Sequence, residues 1–210
     1  MEAPPPPDDL GLTLQLVRRA QGGDRSALQP LFDRYYEPVR RIVRLRLGSA
    51  LRSRLDSGDI VQETFLSALA GFDRFEVRDE ASLLQWLAVL AENRIRDAAD
   101  FHAAGKRDAA REVRLSVPGR SGSIGLDPAA TGLSPAAGVA RDEQVHALEE
   151  ALAGLPEAER ELVVLRDYVG MSWEEVAERT GRPSAAAARM AHGKVLLALG
   201  ARLRGGGKDA

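Results

Sequence analysis

Residues 155–203 read LPEAERELVVLRDYVGMSWEEVAERTGRPSAAAARMAHGKVLLALGARL, and their punctuation predicts two helices crossing at an angle, braced by a third that precedes them. Ser172 and Glu175 form an S-x-x-E capping box. The serine hydroxyl accepts the N–H of Glu175 while the glutamate accepts the N–H of Ser172, so a helix starts at Trp173. Val176 and Ala177 give that helix a short apolar stripe, Gly181 supplies a left-handed exit, and Pro183 forbids simple continuation. Ser184 can cap the next helix, where Met190, Leu196, Leu197 and Leu203 recur at roughly helical spacing and mark its apolar positions. A short helix, a tight glycine turn and a longer second helix make a helix-turn-helix pattern.

The charges are segregated. From Pro183 to Arg204 the cations are Arg189, Lys194, Arg202 and Arg204 with no carboxylate among them, whereas the preceding helix carries Glu174, Glu175 and Glu178. That polarity suits a second helix lying in a major groove while phosphates meet cations. It also suits a three-helix packing module whose basic face is merely solvated.

Composition bounds the answer. The chain has 210 residues, 44% hydrophobic and 29% charged, an ordinary globular balance with room for one or two domains. Cysteine is absent, which excludes disulfides, thiolate catalysis and cysteine-ligated zinc. No run approaches the roughly 18 apolar residues of a membrane span, and MEAPPPPDDL lacks the basic start and apolar core of a secretion signal, so a cytoplasmic chain is expected. Net charge is −2. A stand-alone non-specific DNA binder is usually strongly basic, so a DNA-binding chain of this charge needs affinity from another source.

Residues 1–9 are Pro-rich and acidic and read as disordered. A short helix over Leu10–Ala20 ends at Gly22-Gly23, and Asp24 is a good cap for the next, where Leu28, Leu31, Phe32 and Tyr35 recur at three to four residues. Glu37-Pro38 breaks or kinks it, and Val39–Leu47 continues as a basic amphipathic helix. Arg34, Arg40, Arg41, Arg44, Arg46, Arg52 and Arg54 make this the most basic stretch, read either as a solvated face or as a surface for an acidic partner or nucleic acid.

Ser57–Phe72 is a strong helix with Val61, Phe65, Ala68 and Phe72 on its core face and Asp59, Gln62, Glu63 and Leu66 opposite. In the loop 73–79, Phe75 lies between Arg74 and Arg78, able to stack on an unpaired base or equally to tuck into the core. Ala81–Phe101 is another long helix, buried along Leu83, Leu87, Leu90, Ala91 and Ile95, with Trp86 as a core anchor and Asn93, Arg94, Arg96, Asp97 and Asp100 on its polar side. Residues 103–113 extend this helix or fray. Ser116–Ala140 is rich in Gly, Pro, Ser and Ala and reads as a flexible linker, after which helix resumes over Asp142–Ala153. The fold expected is all-α: a helical domain over 10–115, a linker over 116–141, a helix-turn-helix domain over 142–204 and a disordered tail over 205–210.

Four segments in this order resemble the sigma-70 superfamily of bacterial RNA polymerase sigma factors, in its small two-domain extracytoplasmic-function group. DIVQETFLSAL (59–69) looks like the helix that docks on the polymerase clamp, and LLQWLAVLAENRIRDAA (83–99) like the W-L-x-x-I-A-x-N-R-x-x-D segment. LPEAERELVVLRDYVGMSWEEVAERTG (155–181) is similar to the start of the second domain, and RMAHGKVLLAL (189–199) falls where the recognition helix lies. The resemblance implies a sigma factor that directs promoter-specific initiation and makes or breaks no bond itself. Asp59, Gln62, Glu63 and Leu66 would bind the beta-prime clamp of core polymerase, with further contact to the beta subunit. Arg74, Phe75, Asn93, Arg94, Arg96, Lys106 and Arg107 would engage the minus-10 element and help hold its strands apart. Arg182, Ser184, Arg189, His192 and Lys194 would serve the minus-35 element. Partners are core polymerase and promoter DNA, with room for an anti-sigma factor and none for a membrane; no cofactor or metal is expected.

Two departures bear on specificity. Ala185-Ala186-Ala187-Ala188 opens the recognition helix, and alanine can touch a thymine methyl but makes no bidentate hydrogen bond, which leaves Arg189 as the plausible bidentate reader. AADFHAAGKRD (98–108) is poorer in arginine than many relatives. An enzyme is the first rival reading, but His102, His146 and His192 are far apart and no nucleophile elbow, H-E-x-x-H or phosphate-cradling motif exists. The others are a polymerase-independent helix-turn-helix regulator and a degenerate sigma-like protein that docks on polymerase without directing initiation.

Overall fold

The computed structural model describes residues 8–52, 55–76, 82–109, 145 and 147–205, with side chains over 11–47, 55–76, 82–101, 145 and 147–204. Among the described residues every regular element is helical. The linker reading of 116–141 and the tail beyond Gly205 lie outside the described residues. None of the described helices is long and apolar enough to cross a membrane.

The first domain comprises α1 (Asp8–Gln21), α2 (Leu28–Arg52), α3 (Ser57–Gly71) and α4 (Ser82–Ala109). Helix α1 starts inside the stretch read as disordered, and the chain leaves it through Gly23 at φ +95. Asp24 then accepts the N–H of Ser26 and opens a single 3-10 turn that feeds α2. The Asp24 carboxyl is held below its ordinary range, first by the Ser26 hydroxyl and then by the Arg19 guanidinium. Pro38 does not end α2, which runs on to Arg52, so of the break or kink expected at Glu37-Pro38 the break does not occur. Pro38 lies on the exposed side, and Glu37 before it pairs with Arg40 one turn on. Helix α3 begins as read, with Asp56 accepting the N–H of Gly58 at 2.7 Å. Val61, Phe65, Ala68 and Phe72 face the core, where they meet Val17, Leu31, Val39 and Val43 from α1 and α2 and Leu83, Leu87, Ala91 and Ile95 from α4.

The second domain comprises α5 (147–153), α6 (Glu157–Val163), α7 (Trp173–Arg179) and α8 (Ala185–Gly205). After α6 the helix widens by one residue per turn over Val164–Tyr168, with Val169 donating to the Val164 carbonyl. The capping box at Ser172 and Glu175 is formed in both directions, at 3.2 and 2.7 Å. Gly181 takes φ +63, and the N–H groups of Gly181 and Arg182 reach back to the carbonyls of Glu178 and Ala177, a Schellman closure that a side chain at Gly181 would strain. Ser184 caps α8 through the Ala187 N–H.

One expectation about α8 is reversed. Ala188, His192, Val195 and Leu199 form its buried stripe, whereas Met190 is 66% and Leu197 74% exposed, with Leu196 and Leu203 exposed too. Residues 188, 192, 195 and 199 follow the four-three-four spacing of one helix face. The small side chain of Ala188 and the ring of His192 fit against α6 and α7, and this settles the rotation of the helix.

The two domains are packed together. Ile42 and Leu45 of α2 and Ala88 of α4 belong to the same apolar cluster as Leu152, Leu162, Leu165, Val176 and Leu199 of the second domain. Around this seam Arg44 pairs with Glu149 at 2.8 Å and Arg46 with Glu161 at 2.7 Å. Arg179 of α7 pairs with Glu92 of α4. Part of the basic face of α2 therefore has an acidic partner, supplied by this chain's own second domain.

Candidate nucleic-acid and partner interfaces

Helix α3 turns Asp59, Glu63 and Leu66 outward, with Gln62 half-buried beside them. Leu66 is 52% exposed. An exposed leucine flanked by two carboxylates, on a helix whose other side is fully packed, offers a rigid apolar-and-acidic surface. It stays uncovered while the domains are closed on each other.

The loop after α3 separates its residues. Arg74 is exposed, but Phe75 is buried and stacks on Trp86 with ring centroids 4.7 Å apart. Of the two readings of Phe75, the core holds, and in this conformation the ring offers no free face to a base. Its interior place follows from Trp86, whose indole also meets Phe72 at 6.3 Å and closes over Gly71. Further along α4, Asn93 is half-buried, Arg94 pairs with Asp97 at 3.2 Å, and Arg96 with Glu92 at 2.9 Å. The Arg94 Nε is buried with no partner among the described residues. Lys106 and Arg107 continue the helix, but their side chains lie outside the described residues.

In the helix-turn-helix, Arg189 and Lys194 are exposed on α8. The Arg189 guanidinium lies 5.5 Å from the centre of the Trp173 ring, and that of Arg166 4.6 Å from it. Cation–aromatic contacts of this kind restrict where a long arginine points. Arg182 is half-buried and bends toward the Thr180 carbonyl at 3.4 Å, while Ser184 is engaged as the cap of α8.

His192 departs from its expected place. It is buried, its Nε2 lies 2.8 Å from a carboxylate oxygen of Asp167, and its ring meets Trp173 edge-on. In this conformation it cannot reach a base edge; it ties α8 to the widened turn after α6. Next to Asp167 in the chain, burial holds the Tyr168 phenol above its ordinary pKa. The exposed surface of α8 instead runs through Ala186, Arg189, Met190, Lys194 and Leu197. Met190 was missed as a surface residue because an apolar residue at helical spacing ordinarily marks a core. Among the described residues no cluster of three or more His, Asp or Glu could hold a metal ion.

Comparison with known proteins covers both domains. The Sigma-70 region 2 family model matches residues 31–103 and the Sigma-70, region 4 model residues 146–192. The ECF RNA polymerase sigma factor SigD of Mycobacterium tuberculosis is 30% identical over 171 residues, covering 81% of this chain and 74% of that protein. The ECF RNA polymerase sigma factor BldN of Streptomyces coelicolor is 31% identical over 176 residues, covering 83% of this chain and 60% of BldN. The structure of CnrH in complex with the cytosolic domain of CnrY matches with a TM-score of 0.53 at 23% identity, over 95% of this chain and 99% of CnrH, a likeness of fold.

Proposed function

Since the chain belongs to the extracytoplasmic-function group of sigma-70 family RNA polymerase sigma factors, we propose that its surfaces divide the work as follows. Asp59, Gln62, Glu63 and Leu66 on α3 dock on the beta-prime clamp of core polymerase. Arg74, Asn93, Arg94 and Arg96, continuing toward Lys106 and Arg107, meet the minus-10 element. Arg189 and Lys194 on α8, with Ser184 and Arg182 at its start, meet the minus-35 element. Phe75 and His192 hold these surfaces in shape rather than touching DNA. The chain makes and breaks no bond, and the polymerase performs the chemistry.

The observation that carries this reading is the carboxylate-free exposed face of α8 behind a helix-turn-helix, in one chain with an exposed acidic-and-apolar face on α3. A chain of net charge −2 gains DNA affinity by docking, because polymerase adds its own contacts and raises the effective concentration of two modest DNA-binding surfaces.

Geometry adds a requirement. Elements centred near minus 10 and minus 35 lie about 25 base pairs apart, or about 85 Å along B-form DNA. Two domains of this size in contact span only about 60 Å. The closed arrangement cannot serve both elements, so the domains separate on the promoter. Residues 110–144, between α4 and α5, could reach at most about 120 Å if fully extended, enough for that separation.

CnrH was captured with the cytosolic domain of CnrY; for this chain an anti-sigma factor is the corresponding candidate partner. The deciding experiment is run-off transcription with purified chain, core polymerase and a fragment library of the source genome. Discrete chain-dependent transcripts are expected. Binding to core without transcripts would favour a sigma-like interaction protein, and failure to bind core would favour an independent regulator.

A further inference from the structure

Gln21, the last residue of α1, reaches across the first domain to the loop that follows α3. Its side-chain amide donates to the Phe72 carbonyl at 3.2 Å and to the Phe75 carbonyl at 2.6 Å. Both partners are acceptors, so only the nitrogen end of the amide satisfies them, and the orientation of the side chain follows from its partners. The two carbonyls bracket Asp73 and Arg74. Between them the backbone makes one tight turn, closed by the Phe75 N–H on the Phe72 carbonyl at 3.1 Å. The rings of Phe72 and Phe75 are buried against Trp86, while Arg74 is exposed.

Arg74 thus stands on a turn held in two ways. Aromatic packing fixes the flanking side chains, and the Gln21 amide fixes the flanking carbonyls. Neither contact follows from local sequence, for Gln21 lies 51 and 54 residues from its partners. Helix α1 also lies outside residues 31–103, the stretch that the region 2 family model matches.

We infer that Gln21 is a positioning residue for Arg74: it locks the turn that carries Arg74, so that the guanidinium is presented in a fixed place to the minus-10 strand. This rests on the DNA-interface reading of Arg74 proposed above. Helix α1 is then a brace for promoter engagement as well as a lid on the core. Pre-organisation is the physical gain, since an arginine on a fixed turn loses less freedom when it binds a phosphate or base than one on a loose loop.

The test uses the full chain with core polymerase and a duplex promoter, reading the rate of open-complex formation. Gln21→Leu keeps the volume and removes both donors; Gln21→Glu sets a carboxylate against two carbonyls. Each is expected to slow opening about three- to tenfold, the range that one neutral hydrogen bond corresponds to. Melting should fall by no more than a few degrees, so that the chain stays folded at the assay temperature, and affinity for core should be unchanged. The discriminating readout is a cycle with Arg74→Ala: if Gln21 acts through Arg74, the double variant opens no more slowly than Arg74→Ala alone. Additive losses, an unchanged rate in both Gln21 variants, or a loss that tracks weaker core binding or melting would each overturn the inference. Wild-type levels of opening by Arg74→Ala would instead show that the interface reading of this turn is wrong and would remove the inference with it. Absence of any chain-dependent opening would reject the function proposed for the whole chain, and the positioning role with it.

Discussion

The closed arrangement makes a quantitative prediction about Glu161. The Arg46 side chain is 6% exposed and donates to both Glu161 carboxylate oxygens, at 2.7 and 3.3 Å, and to the Ala88 carbonyl at 2.6 Å. Stripping one partner from a buried ion pair costs about 3–5 kcal/mol because the remaining charge is left uncompensated. Here the penalty is smaller: Glu161 is 28% exposed, and Arg46 keeps Ala88 and has Glu92 at 3.9 Å. About 2 kcal/mol remains after that discount. In the separated state Arg46 is hydrated and does not feel the change, so Glu161→Ala shifts the closed-to-open ratio by about 30-fold toward open. Alanine is a better helix former than glutamate, so α6 itself is not weakened. The chain has no cysteine, so Ala70→Cys on α3 and Ala201→Cys on α8, both at exposed positions, give unique sites for a fluorescent pair. Transfer efficiency should fall in Glu161→Ala and be unaffected by Arg19→Ala, which breaks a pair with Asp24 inside the first domain. Equal efficiencies in wild type and Glu161→Ala at low ionic strength would refute the latch.

Three further outcomes follow from the same surfaces. Replacing Arg44 and Glu149 by cysteines and bridging them with a bismaleimide should leave core binding intact but abolish transcription from a promoter that needs both elements, while the unbridged double variant stays active; activity in the bridged protein would contradict the need for separation. Glu63→Arg should weaken capture by core polymerase with helical content unchanged in circular dichroism, and unaltered co-purification would remove α3 as the docking helix. Arg189→Ala should cost about 1–3 kcal/mol of promoter binding, concentrated at one base pair of the upstream element; an equal loss on every upstream sequence would make Arg189 a phosphate contact.

How far these features could be read in advance depended on the range of the interactions that produce them. The capping box at Ser172 and Glu175, the glycine exit at Gly181 and the core side of α3 were legible because each is settled within four residues or one helical period. Helix α8 was misread because it carries apolar side chains on more than one side. Periodicity then offers two candidate faces, and contact with α6 and α7 selects Ala188, Val195 and Leu199 over Met190, Leu196 and Leu197. His192 likewise takes its role from Asp167, 25 residues away, and nothing local distinguishes such a histidine from a surface reader. The basic run on α2 left a solvated face, an acidic partner and nucleic acid all open, and charge alone could not single out Glu149 and Glu161, more than 100 residues further along, as the groups that meet Arg44 and Arg46.

A partner can shift the balance between closed and open chains only by binding one of them better. Asp59, Glu63 and Leu66 are already exposed with the domains packed together, so docking through α3 alone binds both forms alike and opens nothing. The bias must come from contacts that exist only after separation: the second domain seated elsewhere on polymerase, or two promoter elements held at once. Helix α8, with four alanines at its start and His192 turned inward, adds few base-reading groups to that second contact. On the function proposed above, a weak reader and the latch act in the same direction, and initiation then depends on a promoter strong enough to keep the domains apart. Glu161→Ala should accordingly raise transcription most on promoters with a poor upstream element and least where that element already binds well. A uniform increase across promoters would mean that opening is driven by polymerase alone.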